Sequence, residues 1–517
     1  MILILLLVLL VIILSIPAVQ TKIGKKVTDE LNETYGTDIN IERLGLNWKG
    51  EIDIRNVFIR DHHQDTLIYT EILQTNLLSI KKLIDGNLDF GFLELENANL
   101  FVKTYKDEDN DNLSIFADKF NTGDTTEVKP FQLLATHLTL INSHVRVSDE
   151  NAEVPVAVDL KNLNLDAYDF DIYGPVIEAD INSLSFIEGR GIEVKHSSLE
   201  FIYSETEMFL EDLVLETGNS KIIGNGKLTF EEGMADFVNK VLLEFTFKET
   251  IISTNDLNKI YPEFGENLDI NINGDFLGFL NDFRFDNSDL RYGNSQFKGD
   301  FLFQNLFNEE IYIVKGKDHY ITTNYFDLRR ILPNIIGKDL PVELKQFGNF
   351  SLRGDSEIIG DEIKTKGLVT TAVGLADVNL ELGNITDFKN AYYKGNAKLT
   401  NFNLGKLAGT TSIGKMNANL TFNGRGFTPE TVSTLVQGTI SSFDFENYIY
   451  KNITVEGNLK NPKFNGKLSI NDPNLKMDFD GLIDVSKAFN QYDFEANIEY
   501  AELNKLRLFT RDSVSVF

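Results

Sequence analysis

Apolar and polar residues alternate along most of the chain after Asp38. Ile270 and Ile272, for example, are each followed by an asparagine, and the alternation slips by one residue at Asn162. Because successive side chains of a strand point to opposite faces, this pattern predicts strands with one apolar and one solvated face, as in antiparallel sheets. Turn pairs such as Asn423-Gly424 separate the segments. At about five to six residues per strand plus turns, the length allows roughly twenty-five strands or more.

The chain begins with an apolar run that ends at Pro17, in which Ser15 is the one polar residue. A helix of this length spans about 24 Å, less than the roughly 30 Å of a bilayer core, and is also within reach of a signal-peptide core. We expect a transmembrane anchor over 1–18. The nearest basic residues follow the run instead of preceding it, so we also expect that residues are missing upstream.

A helix is predicted next, over residues 19–36. Its apolar residues recur at every fourth position and form one stripe, which we expect to pack against the start of the sheet. The stripe consists of Val19, Ile23, Val27, Leu31 and Tyr35. Gly36 follows as a plausible C-cap.

A short phrase of polar residue, leucine, any residue, basic residue and aliphatic residue recurs in the second half. It occupies residues 256–260, 327–331, 403–407 and 502–506. Short helices are expected at 255–264 and 327–338. Groups of strands that each end in a crossing segment are typical of a sheet that is extended by repetition. The alternative is that the phrase recurs by chance.

These signals predict a mainly β protein, with a long repetitive antiparallel sheet that curls into a groove with an apolar interior. The two N-terminal helices precede it. We divide the rest into a first β segment over 37–126, a groove segment over 127–254, repeats with short helices over 255–402, and a last repeat over 403–517.

Composition excludes several classes of function and several kinds of site. The formal net charge of −29 excludes a general nucleic-acid binder, which needs a basic face. There is no cysteine, which excludes disulfides, thiolate catalysis and cysteine-based zinc sites. Abundant phenylalanine suits strand faces, whereas asparagine and glycine suit turns.

No catalytic motif stands in a suitable context, so we expect neither an enzyme nor a bound cofactor. His62 and His63 lie between two predicted strands and are read as a solvated loop. Asp107, Asp109 and Asp111 alternate, with Asp118 further on, in a spacing that imitates a calcium loop. Asn112, however, occupies the position that needs glycine, and a strand instead of a helix precedes the loop, so a solvated acidic loop is favoured over a metal site.

The predicted apolar face must be covered by a second sheet, a helix, a membrane or an apolar ligand, and alternation alone does not separate these possibilities. The candidate interior residues are Phe90, Leu95, Val158, Leu165, Ile270, Ile272, Phe301, Phe303, Leu420, Phe422, Leu468, Met477, Phe479, Phe494 and Ile498.

Several phrases resemble the AsmA-like superfamily, and within it the TamB branch. They are VFIRDHHQDTL over Val57 to Leu67, GNLDFGFLELENANLFV over Gly86 to Val102, and the segment from Phe443 to Leu482, together with the Pro-Ala-Val-Gln junction after the apolar run. The resemblance implies a β gutter anchored once in a bacterial inner membrane, with its bulk in the periplasm.

The function that this resemblance implies is the passage of phospholipid along the gutter between the inner and outer membranes. The alternative is a scaffold for outer-membrane protein assembly, together with an outer-membrane barrel. The chain stops at Phe517 without the domain that meets the outer membrane in such proteins, so we expect a fragment of a longer protein.

Overall fold

The structure is a computed structural model that describes residues 16–47, 49–78, 87–119, 132–152, 154–231, 233–234, 236–307, 311–338, 340, 342–385, 387, 389–426, 431–460, 463–485 and 490–508. It is mainly β, with 65% strand and 11% helix. The predicted anchor over 1–18 lies outside these residues apart from its last three. Within the described ranges, no helix combines the length and the apolar character needed to cross a membrane.

Two compact units divide the chain, Met1–Pro262 and Glu263–Phe517. The strands of the first unit are β1 (Asp38–Asn40), β2 (Arg43–Leu46), β3 (Glu51–Arg60), β4 (Thr66–Leu77), β5 (Asn87–Glu96), β6 (Asn99–Thr104), β7 (Gln132–Asp149), β8 (Val156–Tyr173), β9 (Val176–Glu188), β10 (Glu193–Tyr203), β11 (Glu207–Thr217), β12 (Lys221–Thr229) and β13 (Leu242–Ser253). Its helices are α1 (Pro17–Tyr35), α2 (Asn112–Asp118), α3 (Phe237–Lys240) and α4 (Thr254–Leu257).

The strands of the second unit are β14 (Asp269–Phe279), β15 (Asp282–Tyr292), β16 (Ser295–Gln304), β17 (Ile313–Asn324), β18 (Asn349–Ile359), β19 (Glu362–Thr371), β20 (Gly374–Gly383), β21 (Tyr392–Asn403), β22 (Ile413–Arg425), β23 (Ser433–Phe445), β24 (Tyr448–Lys460), β25 (Lys463–Asp472), β26 (Leu475–Asp484) and β27 (Gln491–Ala501). Helices α5 (Tyr325–Ile331) and α6 (Leu404–Ala408) and a 3-10 helix (Val342–Phe347) interrupt them. The 27 strands found among the described residues agree with the roughly twenty-five or more expected from the length.

Pairing in the first unit is antiparallel apart from one crossover. Strands β1 and β2 both pair with β3, which pairs with β4. Strands β5 and β6 follow one another along β4, and both pair in parallel with β7 on their other side. From β7 to β13 each strand pairs antiparallel with the next. These two parallel pairs were not predicted, because alternation does not reveal strand direction.

The second unit is a simple antiparallel meander, in which each strand from β14 to β27 pairs with the strand that follows it. Hairpin connections of this kind keep sequence neighbours adjacent in the sheet.

Asparagine and aspartate residues form bulges inside the strands, in addition to turns between them. Asn162 in β8 has a φ of 51°, and the β8–β9 register shifts between Lys161 and Asn164. Asn142 in β7 and Asn287 in β15 have φ values of 49° and 51° beside similar register shifts. Asparagine tolerates the left-handed region better than other residues with a side chain. Each bulge adds one residue to its strand, so the slip predicted at Asn162 is confirmed.

Helix α1 occupies the segment for which a helix was predicted, but two of the five residues predicted to form its packing face do not pack against the sheet. Ile23 and Val27 are 46% and 52% exposed, whereas Gln20 and Gly24 are buried. Gln20 pairs with the backbone of Leu46, donating from Nε2 to its oxygen at 2.7 Å and accepting from its N–H at 2.9 Å. Periodicity identifies an apolar stripe but does not reveal that a strand edge needs polar partners.

Further polar side chains of α1 bind the same sheet edge. Asn32 accepts from the N–H of Ile39 at 2.8 Å and donates to its carbonyl at 2.9 Å. A side-chain Cβ at Gly24 would lie 2.8 Å from Ile41, so glycine allows the close approach of the helix. The helix therefore covers the outer edge of β1 and β2, which would otherwise present unpaired backbone groups.

The recurring phrase marks segments that follow a strand end in both units. Helices α4, α5 and α6 come directly after β13, β17 and β21, and the fourth phrase forms turns after β27. Helices α4 and α5 are shorter than predicted. Asp256 of α4 accepts hydrogen bonds from Thr217 at 2.6 Å and Ser220 at 2.7 Å, in the turn between β11 and β12.

Asp327 of α5 plays the equivalent part in the second unit. It accepts from the N–H of Asn294 at 2.7 Å and from Ser295 at 2.9 Å, in the turn between β15 and β16. In both cases a carboxylate ties a helical segment to the hairpin turn two strands earlier. Two of the four copies of the phrase therefore have a structural role in common.

Candidate functional site

A row of directly opposed side chains crosses the sheet of the first unit from β2 to β12. Directly opposed residues of paired strands lie on the same face, so the register defines which side chains share it. The row consists of Leu44, Ile54, Leu73, Leu95, Leu140, Leu165, Leu184, Ser197, Leu215 and Ile222. Ser197 is its one polar member and is only 2% exposed.

A longer row crosses all the strands of the second unit, and every member is apolar. It consists of Ile272, Leu290, Phe297, Ile321, Leu352, Val369, Ala376, Leu399, Ala418, Ile440, Ile453, Ile470, Met477 and Ile498. Each residue stands directly opposite the next, so the apolar surface is continuous from β14 to β27. We call these two sets the first-unit row and the second-unit row.

Neighbouring positions complete the two faces of the second unit. A parallel row lies two residues along each strand from the second-unit row. It consists of Val378, Ala397, Leu420, Gly438, Val455, Leu468, Phe479 and Ala496. One residue further along lies a row of Asn379, Asn396, Thr421, Gln437, Glu456, Lys467, Asp480 and Glu495. The sheet is therefore apolar on one face and polar on the other, as the alternation predicts.

Members of the second-unit row range from buried to half-buried. Ile453 and Ile470 are 5% and 7% exposed, whereas Ile272, Leu352 and Met477 are half-buried. A fully buried aliphatic side chain gains about 1.5–3 kcal/mol relative to an exposed one. The half-buried members realise only part of this gain, so the face can bury further apolar surface against a ligand.

Most of the predicted interior residues lie in these rows or beside them. Leu95 and Leu165 belong to the first-unit row, and Ile272, Met477 and Ile498 belong to the second-unit row. Leu420, Leu468 and Phe479 belong to the parallel row described above. Phe301, Phe422 and Phe494 lie in the next row on the same face, and Phe303 in the one after it.

Ile270 lies two residues from Ile272 on the same face and packs against the cluster of Leu268, Tyr292 and Ile331. Two predicted residues lie away from the first-unit row: Phe90 pairs with Ala135, and Val158 pairs with Val147. Phe494 is on the apolar face but is 46% exposed, because β27 has β26 as its one partner among the described strands.

Sequence reasoning missed several row members, such as Leu140, Leu290 and Ile440. Alternation assigns each to the apolar side of its own strand but does not tell which residue of the next strand stands opposite. That information depends on turn length and on bulges.

A buried histidine lies within the apolar face of the second unit. His319 stands opposite Gly354, is fully buried and stacks on Phe301 with ring centroids 5.9 Å apart. Neither ring nitrogen of His319 has a hydrogen-bond partner in the described part of the chain. Burial lowers the pKa of His319 from its usual 6.5, although the nearby Asp355 carboxylate acts in the opposite direction. The imidazole is therefore neutral at physiological pH.

Glycine makes room for this histidine. A Cβ at Gly299, whose φ is 140°, would lie 3.0 Å from the Cα of His319. A larger residue at this position would therefore displace the imidazole or the strand that carries it.

The acidic loop before α2 has structural uses. Asp111 caps α2 by accepting from the N–H of Ser114 at 2.8 Å, and Asn112 is buried. Within the described residues, the carboxylates of Asp107, Asp109 and Asp118 do not join in a three-ligand group. The loop thus gives no support to calcium binding.

The sequence matches no family model. No curated protein gives a significant match either. The functional inference therefore depends on the geometry of the apolar face and on the sequence resemblance described above.

Proposed function

We propose that the protein is a single-pass, inner-membrane-anchored periplasmic conduit that passes phospholipid along the apolar face of its sheet, between the inner and outer membranes. The unbroken second-unit row is the observation that carries the proposal. A passage for acyl chains requires apolar surface at every step, and this row has no polar member. The TamB branch of the AsmA-like superfamily, which the sequence resembles, is the family analogy.

Acyl chains suit such a face for a physical reason. Each methylene group removed from water contributes about 0.8 kcal/mol, so two chains are held firmly, yet no directional bond fixes their position. Non-directional binding allows lipid to move from strand to strand. Headgroups remain in water at the open side of the face. This mechanism needs no catalytic residue and no cofactor.

The alternative is a scaffold that offers strand edges to nascent outer-membrane proteins, together with an outer-membrane barrel. It requires a free edge with unpaired backbone groups. Along β1 and β2 the side chains of Gln20, Thr21 and Asn32 bind the outer edge. This observation favours lipid over peptide as the ligand of the first unit.

The test compares two charges placed on opposite faces of one strand. Ile272→Asp places a carboxylate in the second-unit row, whereas Asn271→Asp places it on the solvated face. A carboxylate that faces hydrocarbon costs several kcal/mol. We expect Ile272→Asp to stop the transfer of a fluorescent phospholipid from donor to acceptor vesicles, and Asn271→Asp to leave it unchanged.

Circular dichroism and urea unfolding show whether each variant is folded. Full transfer by folded Ile272→Asp would refute the conduit. Binding of unfolded outer-membrane strand peptides, with no lipid transfer by the wild type, would establish the scaffold instead.

A further inference from the structure

Two polar segments far apart in the sequence meet at one end of the first unit. His62 and His63 lie in the turn between β3 and β4, and Glu108 lies in the loop between β6 and α2. The Nε2 atom of His62 is 2.9 Å from Oε2 of Glu108, and Nε2 of His63 is 2.7 Å from Oε1. One carboxylate thus contacts both imidazoles.

The three side chains present a compact set of ligand atoms. One ligand atom from each lies within 4.8 Å of the others, and the imidazole centroids of His62 and His63 are 4.4 Å apart. Tetrahedral zinc with bonds of about 2.0–2.1 Å holds its ligands about 3.3 Å apart. The two contacts between Nε2 and the Glu108 carboxylate, at 2.9 and 2.7 Å, are shorter than this, so the carboxylate would move away from both imidazoles by about half an ångström to admit an ion.

Buried polar groups hold the set in place. Asp61, only 3% exposed, accepts from Asn112 at 2.8 Å and from Tyr105 at 2.7 Å. The ring of Tyr105 lies against that of His63, with centroids 3.9 Å apart. The turn and the loop are therefore fixed to each other through Asp61, independently of the contacts of Glu108.

We propose that His62, His63 and Glu108 bind one divalent transition-metal ion of the zinc class. Two imidazoles and one carboxylate are ligands that zinc prefers, and three protein ligands leave the fourth position open to water. Calcium is a poor candidate because it requires six to eight oxygen ligands. The bound ion joins the β3–β4 turn to the loop before α2.

One feature limits the affinity of the site. The Nδ1 atom of His62 is buried without a hydrogen-bond partner among the described residues. A metal-bound imidazole usually donates from its other nitrogen, and loss of such a partner typically lowers affinity about 10–100-fold. We therefore expect binding weaker than that of a structural zinc finger.

The experiment titrates the metal-free full chain with zinc chloride and measures the heat of binding by isothermal titration calorimetry. The metal content of the protein is then measured after dialysis. We expect one zinc ion per wild-type chain and no heat from calcium chloride at the same concentrations. His63→Ala and Glu108→Gln should each weaken zinc binding by at least tenfold. Circular dichroism should show that both variants keep their strand content.

His144→Ala is the matched control. His144 also contacts one carboxylate, that of Asp159, at 2.7 Å, but belongs to no three-ligand group among the described residues. This variant should bind zinc as the wild type does. Absence of zinc binding by the folded wild type, or equal binding by the double variant His63→Ala/Glu108→Gln, would overturn the proposal.

Discussion

The two units build the same kind of apolar row by different routes. In the first unit the row crosses a parallel strand pair, passes bulges in β7 and β8, and includes Ser197. In the second unit it follows a meander, in which the pairs from β18 to β21 have no register shift, and contains no polar residue. A continuous apolar face is therefore compatible with bulges and with a change of strand direction.

The largest effect is expected where the second-unit row is buried. Ile453 is 5% exposed, while its neighbour Thr454 is exposed on the other face. Replacement of a buried isoleucine by alanine removes apolar contacts and leaves a cavity, so Ile453→Ala should lower the free energy of unfolding by about 2–5 kcal/mol. Thr454→Ala should change it by no more than about 0.5 kcal/mol. Urea unfolding measures both, and equal effects would contradict the assignment of faces.

The next effect tests whether the two helical segments have the same role in both units. Asp256→Ala and Asp327→Ala each leave hydroxyl or N–H donors of a hairpin turn without their acceptor. We expect each to cost about 1–3 kcal/mol in urea unfolding. A loss in one unit only would show that the recurring phrase has no common structural role.

Asp256 also predicts an acid dependence in the first unit. Burial would raise the pKa of Asp256, but hydrogen bonds from Thr217, Ser220 and Asn219 lower it below the usual 3.8. The folded state therefore binds its proton less readily than the unfolded chain, so this stabilisation is present above about pH 4 and is lost as the pH falls through the folded-state pKa. Asp256→Asn should reduce the loss of stability on acidification below pH 4, measured by thermal unfolding.

A smaller effect, on the pH dependence of thermal stability near neutral pH, is expected in the second unit. His319 of the second unit is buried and uncharged, and its pKa lies below the usual 6.5. The unfolded chain takes up this proton first, so the contribution of His319 is at its maximum above about pH 6.5 and declines as the pH falls. Between about pH 7.5 and 5.5, His319→Leu should lose less thermal stability than the wild type. An identical decline in both proteins would remove His319 as the cause.

The smallest effect concerns the polar member of the first-unit row. Ser197 is buried between Leu184 and Leu215. Ser197→Ala makes the row wholly apolar, like that of the second unit, and should change the free energy of unfolding by about 1 kcal/mol or less. A loss of more than about 2 kcal/mol would show that the hydroxyl has a specific structural role.

Period-two alternation was sufficient to predict the fold class and the two faces of the strands. It placed Ile272 and Met477 on the apolar side and Asn271 and Glu495 on the exposed side, where the structure has them. The slip at Asn162 was visible because an inserted residue interrupts the alternation.

Other features depend on contacts between segments distant in sequence. The parallel pairing of β7, the polar packing face of α1 and the approach of Glu108 to His62 each involve such a contact. The local pattern of apolar and polar residues is the same whichever segment pairs with an edge or a turn. It therefore gave no signal for these three contacts. The wrong prediction for Ile23 and Val27 has this cause.

Site-specific photo-crosslinking in growing cells can show whether phospholipid contacts the second-unit row. A photoreactive amino acid at Ile440 lies in the row, and one at Thr439 lies on the exposed face of the same strand. We expect phospholipid adducts, identified by mass spectrometry, from position 440 and none from position 439. Equal capture at both positions, or no lipid at position 440 in folded protein, would contradict it.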